Sequence, residues 1–206
     1  MTPSEFTALL VLATATSFTP GPNTTLSTTL AVNGGLKRAM RFVLAVPIGW
    51  AMLLALSALG VGSLVQAWPL LRSAIVLGGV GYLLWLALRL WRIREWTNSV
   101  HASLEVGFLQ GVMLQFLNIK AWMLALSITA GWIAGQADVP QRLVFVMPIM
   151  MFYAFSSNLA YALLGALLRQ WLAQGQRLLV FNRIMSSALV LTAAWMVKDA
   201  FALGAS

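Results

Sequence analysis

Apolar residues fill most of the chain in long runs, and polar residues collect in short turns between them. Six runs exceed the roughly 17–25 residues that a tilted helix needs to cross about 30 Å of hydrocarbon. They predict membrane helices at about 3–32, 40–64, 71–91, 106–133, 142–168 and 178–201. The turns fall at Asn33-Gly34-Gly35, at Trp68-Pro69, in the polar stretch 94–105 and at 135–141. At the start of the chain, Thr2 and Glu5 make a capping-box pattern, and Pro3 suits the first helical position.

Thr19, Pro20, Gly21, Pro22 and Asn23 interrupt the first run. A proline lacks an N–H and collides with the carbonyl one turn back, which costs about 3 kcal/mol or more inside a helix. Gly21 between the two prolines adds backbone freedom. The apolar run continues on both sides, so the pattern predicts a helix broken within the membrane. Irregular backbone at that depth is tolerated only where protein covers it or a cavity adjoins it. The fourth run carries Asn118 and Lys120 at its centre, and the fifth carries Ser156, Ser157 and Asn158. Pro47 in the second run and Pro148 in the fifth are expected to kink their helices, as static bends or as hinges that gate access.

Composition agrees with this pattern. Of 206 residues, 60% are hydrophobic and 9% charged, against roughly 45–50% and 25% in soluble domains. The expected class is an all-α integral membrane protein. A net charge of +8 would suggest nucleic acid in a soluble chain. Here the cations sit in turns, so topology explains them and no nucleic-acid partner is expected. Lys37, Arg38, Arg41, Arg89, Arg92, Arg94, Arg169, Arg177 and Arg183 fall on one side, against Arg72, Arg142 and Lys198 on the other. The rule that basic loops stay inside places both termini outside. Trp68, Trp91, Trp96, Trp132 and Trp171 lie near predicted helix ends, as interfacial anchors do. The chain has no cysteine, which excludes disulfides and thiolate metal sites. His101 is the one histidine and lies in the polar stretch, where solvation accounts for it. The N-terminus lacks a basic n-region, so no cleaved signal peptide is expected.

The two halves are faintly alike. Val46-Pro47-Ile48 answers Met147-Pro148-Ile149, and Gly21-Pro22-Asn23 answers Asn118-Ile119-Lys120. An odd number of helices per half makes the second copy enter from the opposite face. The predicted architecture is therefore two inverted three-helix repeats, 1–93 and 106–206, joined by a cytoplasmic linker at 94–105. Helices 1 and 4 would be interrupted near the midplane, an arrangement many secondary transporters use.

With these residues in view, the chain resembles the LysE/RhtB family of amino-acid exporters over nearly its whole length. The resemblance rests on Thr19-Pro20-Gly21-Pro22-Asn23, Gly34-Gly35-Leu36-Lys37-Arg38-Ala39, Gly81-Tyr82-Leu83-Leu84-Trp85-Leu86 and Asn118-Ile119-Lys120. The last departs from the family's Asn-Pro-Lys, which leaves the second break open. Leu114-Gln115-Phe116-Leu117-Asn118-Ile119-Lys120 is most similar to the branch that exports cysteine and O-acetylserine. The resemblance implies secondary export of small neutral amino acids or related metabolites, of the cysteine/O-acetylserine or threonine/homoserine type. It also implies proton antiport, alternating access and a bacterial inner-membrane location.

The residues support a binding site more readily than an active site. A lysine at the centre of a membrane helix costs about 2.5–3.5 kcal/mol to insert. Lys120 either bonds carbonyls freed by Pro20 and Pro22, or serves as counter-ion to a substrate carboxylate and as proton carrier. Thr19, Pro20, Gly21, Pro22, Asn23, Asn118, Lys120 and Asn158 are the candidate substrate-binding residues. Asn23 and Asn118 can both donate and accept toward a zwitterion, and Asn158 equally suits a bond between helices. The carboxylates Glu5, Glu95, Glu105, Asp138 and Asp199 map to loops or helix ends, which disfavours a cationic substrate. A divalent-cation exporter would need membrane ligands that the chain lacks. An intramembrane hydrolase would have to pair a serine with Lys120. No metal or cofactor is expected. Gly107 with Gly111, Gly131 with Gly135, and the cluster Gly78, Gly79 and Gly81 allow close helix packing, within the bundle or in a homodimer.

Overall fold

The computed structural model describes residues 1–93, 104–135 and 138–202, apart from the side chains of Gln66 and residues 199–202. Arg94, Glu95, Trp96 and His101, with most of the 94–105 linker, lie outside the described residues, as does the side chain of Asp199. The described residues form helices and turns, without strands. In order the helices are α1 (Pro3–Phe18), α2 (Pro22–Gly34), α3 (Leu36–Ala58), α4 (Val61–Ala67), α5 (Pro69–Arg92), α6 (Phe108–Leu117), α7 (Ile119–Ile128), α8 (Val139–Leu172) and α9 (Arg177–Ala202). A π turn at Thr129–Ile133 follows α7.

Most predicted spans appear, with three shifts that local chemistry explains. The first break covers Thr19 to Gly21 only, because Pro22 begins α2. The first position of a helix needs no N–H donor, so proline is favoured there. The second predicted helix ends at Ala58, because Gly60 takes a left-handed φ of 89° and α4 starts afresh. The fifth run is helical for 34 residues, Val139–Leu172, starting earlier and ending later than predicted.

By length and composition α3, α5, α8 and α9 can each cross a membrane, and the bent pair α6 and α7 makes a fifth span if counted as one. The pieces α1 and α2 have 16 and 13 residues and fall short singly. Packing centres on α8 and α3. Helix α2 lies along α8, α5 along α9, and α3 fits against both α8 and α6. In lipid the hydrophobic effect does not drive helices together, so small residues and interhelical hydrogen bonds must. Gly165 of α8 shows how close this packing is: a Cβ there would lie 2.4 Å from the Thr28 carbonyl oxygen of α2. Gly111 likewise admits α3, since its Cβ would lie 2.7 Å from that of Ala45. Gly81, Gly131 and Gly135 meet nothing within 4 Å and close no helix contact.

Polar clasps hold the two ends of the bundle. At one end Thr2 and Glu5 complete the capping box of α1. Arg142 bonds Asp138 at 2.9 Å and reaches Glu5 at 3.7 Å, while the Trp132 indole donates to the Glu5 carbonyl at 2.8 Å. That Arg142 hydrogen bond holds the Asp138 carboxyl below the usual carboxylate range. At the other end Arg38 pairs with Glu105 at 3.4 Å, and Arg177 and Arg183 stack on Trp171 and Trp91. Asn33 of α2 and Asn182 of α9 exchange amide hydrogen bonds at 2.9 and 3.1 Å nearby.

Candidate functional site

The first break leaves backbone groups that other side chains must satisfy. Pro22 has no N–H for the Phe18 carbonyl, and the Tyr161 hydroxyl of α8 donates to it instead, at 3.0 Å. The Gly21 N–H donates to the Thr24 hydroxyl at 2.9 Å, and that hydroxyl donates to the Gly21 carbonyl at 3.1 Å. Thr19 bonds back to the Ala15 carbonyl. The Thr16 and Ser17 carbonyls are left without helical donors, because residue 20 is proline and the Gly21 N–H is engaged.

The second break needs no proline. Between α6 and α7 the chain bends by 71°. Asn118 sits there in an extended conformation, φ −95° and ψ 98°. Its Oδ1 accepts the Lys120 N–H at 3.1 Å, which caps α7. The Phe116 carbonyl would take that N–H in an unbroken helix. It accepts the Trp122 indole N–H instead, at 2.9 Å. The Leu117 carbonyl turns toward α5, where a Cβ on Gly79 would lie only 2.1 Å from its oxygen. Ile119 in the proline position therefore does not heal the helix.

Amides join the two breaks. Asn23 donates to Gln115 at 2.8 Å and Gln115 returns a bond at 3.3 Å. Gln115 is fully buried and also donates to the Gly111 carbonyl at 3.1 Å. Ser27 of α2 donates to Asn158 of α8 at 2.8 Å, and Asn158 donates to the Ala154 carbonyl at 2.8 Å. Sequence reasoning did not single out Gln115, Tyr161 or Trp122 as site residues. Gln115 had a signal, as a buried-type amide one turn before Asn118; the other two read as ordinary aromatics.

Between the breaks, α3 and α8 lies a cavity of about 90 Å³, room for a handful of water-sized groups. It brings together Thr19, Gly21, Pro22, Asn23, Asn118, Lys120 and Asn158, seven of the eight candidates. Thr16, Ser17 and Ser157 add polar lining, while Val46, Trp50, Leu124 and Met150 make the apolar wall. Pro20 faces the other side, where a second cavity of about 340 Å³ opens toward Leu191, Thr192, Trp195 and Met196 of α9. Gly21, Pro22, Asn118 and Lys120 border both spaces. Pro47 is buried in α3 and Pro148 exposed on α8; neither lines a wall of either cavity.

Lys120 is half-buried, and a Cβ on Gly21 would lie 3.6 Å from its Nζ. Its ammonium has no hydrogen-bond or ion-pair partner among the described residues, so it does not bond the carbonyl that Pro22 frees. Among the described residues no acidic side chain lines either cavity. Ser157 donates to its own helix, at 3.3 Å to the Ala154 carbonyl, and forms no pair with Lys120. Among the described residues no three His, Cys, Asp or Glu side chains cluster as a metal site would require.

A family model described as LysE type translocator matches residues 14–199. The chain is 30% identical, over 97% of its length and the whole of the relative, to the cysteine/O-acetylserine efflux protein of Klebsiella pneumoniae subsp. pneumoniae. It is 24% identical, over 92% of its length and 96% of the relative, to the protein of that name from Escherichia coli. For the Salmonella typhi protein of the same name the identity is 25%, over 82% and 87%. No solved structure matches. A match that runs through both breaks and every long apolar helix makes this chain a multi-pass membrane protein of the LysE type translocator family, a transporter and not an enzyme.

Proposed function

We propose that the protein exports small neutral amino acids or related metabolites of the cysteine/O-acetylserine type, by alternating access and in exchange for protons. The observation that carries this reading is the Lys120 ammonium, without a partner among the described residues, in a cavity where two helix breaks converge. A zwitterion needs both signs. Its carboxylate suits Lys120 and the positive N-terminal ends of α2 and α7. Its ammonium suits the Thr16 and Ser17 carbonyls at the negative end of α1. With no carboxylate among the described residues of the lining, a cationic side chain would be buried unpaired. Lys120 is also the one ionisable side chain among the described residues of the lining, which makes it the candidate for proton coupling.

The six-span reading pairs α1 and α2 with α6 and α7, α3 with α8, and α5 with α9 as two inverted repeats, 1–93 and 106–206. It is supported by the way α2 lies on α8 while α7, its counterpart in the second repeat, packs on α3. With the arginine-rich turns inside, both termini face the periplasm of a bacterial inner membrane, and α1 and α7 form the outer half of the site. Eight of the thirteen residues of α2 are buried, against Leu9 and Ala13 alone in α1. The structure thus fits an outward-facing state, sealed below the breaks. The test is efflux from proteoliposomes loaded with single amino acids under an imposed pH gradient. Export of neutral amino acids that collapses when the gradient is removed is expected. Export of lysine or arginine instead, or no dependence on the gradient, would refute the reading.

A further inference from the structure

The long helices fall into two bodies that hold each other lightly. Helices α5 and α9 pack along each other, as α8 does with α2 and α3, and α3 with α6. Between the α5–α9 pair and the rest the packing is thin. Hydrogen bonds repeat the division. The Ser186 hydroxyl donates to the Ala87 carbonyl at 2.8 Å, and the Asn182 amide donates to the Ile93 carbonyl at 3.3 Å, which ties α9 to α5 and its C-cap. The Asn33 amide donates to the Thr29 carbonyl at 3.0 Å within α2. The reciprocal Asn33–Asn182 bonds cross the seam, so each amide keeps a bond on its own side when the two part. At the same level Val32 of α2, Leu172 of α8 and Leu178 of α9 form a small apolar plug apart from the main core. One turn before Asn33, the Thr29 hydroxyl is fully buried without a hydrogen-bond partner among the described residues. A dry hydroxyl left unpaired penalises the sealed arrangement, and water entering a parted seam would lift that penalty.

We infer that α5 and α9 move as one body, and that the Asn33–Asn182 clasp latches them shut over the end of the site that the arginine-rich turns mark as cytoplasmic. Neutral amides suit a latch that opens in every cycle. Exchanging their hydrogen bonds for water changes the free energy little, whereas parting a buried ion pair leaves an uncompensated charge. The inference rests on the alternating-access reading, and it adds which helices move and where the inner seam parts.

The chain has no cysteine, so thiols can be placed singly or in pairs. With Asn33→Cys and Asn182→Cys together, a short bifunctional methanethiosulfonate should link the two positions. Efflux from proteoliposomes should then fall about tenfold or more and return on reduction, since a linked seam cannot supply the second state. Linked protein that exports like the reduced protein, or positions that do not link, overturns the inference. Labelling tests the latch without transport. Val32→Cys places a thiol in the buried plug, where an impermeant maleimide should react slowly in membrane vesicles. Adding Asn182→Ala should raise that rate from the cytoplasmic face about tenfold, the population shift that two lost hydrogen bonds bring. An unchanged rate, or a rise that is equal from both faces or confined to the other face, overturns the latch. If the unmodified protein exports no amino acid, the export reading has failed, while the labelling still reports whether the seam opens.

Discussion

The two helix breaks do the same work with different chemistry. At Thr19–Gly21 the backbone itself forbids the helix, since Pro20 and Pro22 withdraw two N–H donors and clash with the preceding turn. At Asn118 every residue could be helical, and the break persists because competing partners outbid the helix. Asn118 takes the Lys120 N–H, Trp122 takes the Phe116 carbonyl, and Gly79 leaves room for the Leu117 carbonyl. The first break is thus encoded within three residues, and the second is distributed over three helices. The first also carries no charge, whereas the second delivers Lys120 to the cavity. One supplies freed carbonyls, the other an ammonium, and a zwitterion calls for both.

Substitutions separate these contributions. Lys120→Met should have the largest effect, a loss of export of about a hundredfold or more in proteoliposomes, because a buried counter-ion is worth several kcal/mol. The variant should insert and purify normally, since methionine removes the cost of placing a charge in the membrane. Wild-type efflux from it would remove the ammonium from the mechanism. Pro20→Ala with Pro22→Ala should lift about 3 kcal/mol of helix penalty at each position and let α1 run into α2. Efflux should then fall about tenfold or more while thermal stability in detergent holds. Persistent flux would make the first break incidental. Asn118→Ala should have the smallest effect, about 1 kcal/mol of stability from the lost cap. Trp122 and Gly79 still favour the bend, so efflux should fall only a few-fold, the kinetic equivalent of that energy. If the alanine variant loses as much export as Lys120→Met, the second break depends on one side chain after all.

Much of this was legible in the sequence. The apolar runs marked the long helices, and the proline pair marked the first break to within two residues. Lys120, Asn23 and Asn118 stood out because uncompensated polarity in an apolar run is costly. Less visible was the fate of Pro22, which ends one helix on paper and starts another in space. The turn at Gly60 was also missed, because apolar residues continue through it on both sides. Gln115 was read only as part of a family motif and Tyr161 as an ordinary aromatic, since the amide or carbonyl each serves is found on another helix.

The sequence by itself determined which segments are apolar enough for the membrane and where the first helix must stop, because hydropathy and a missing proline N–H act within a few residues. Tertiary structure alone decided that the fourth predicted helix bends without a proline, that seven scattered residues share one cavity, and that the lysine among them has no partner among the described residues. Those outcomes depend on helices remote in sequence meeting at single atoms. Hydrogen bonds and close carbon–oxygen contacts are decided over distances of about 3 Å, a scale on which residue order alone carries little information.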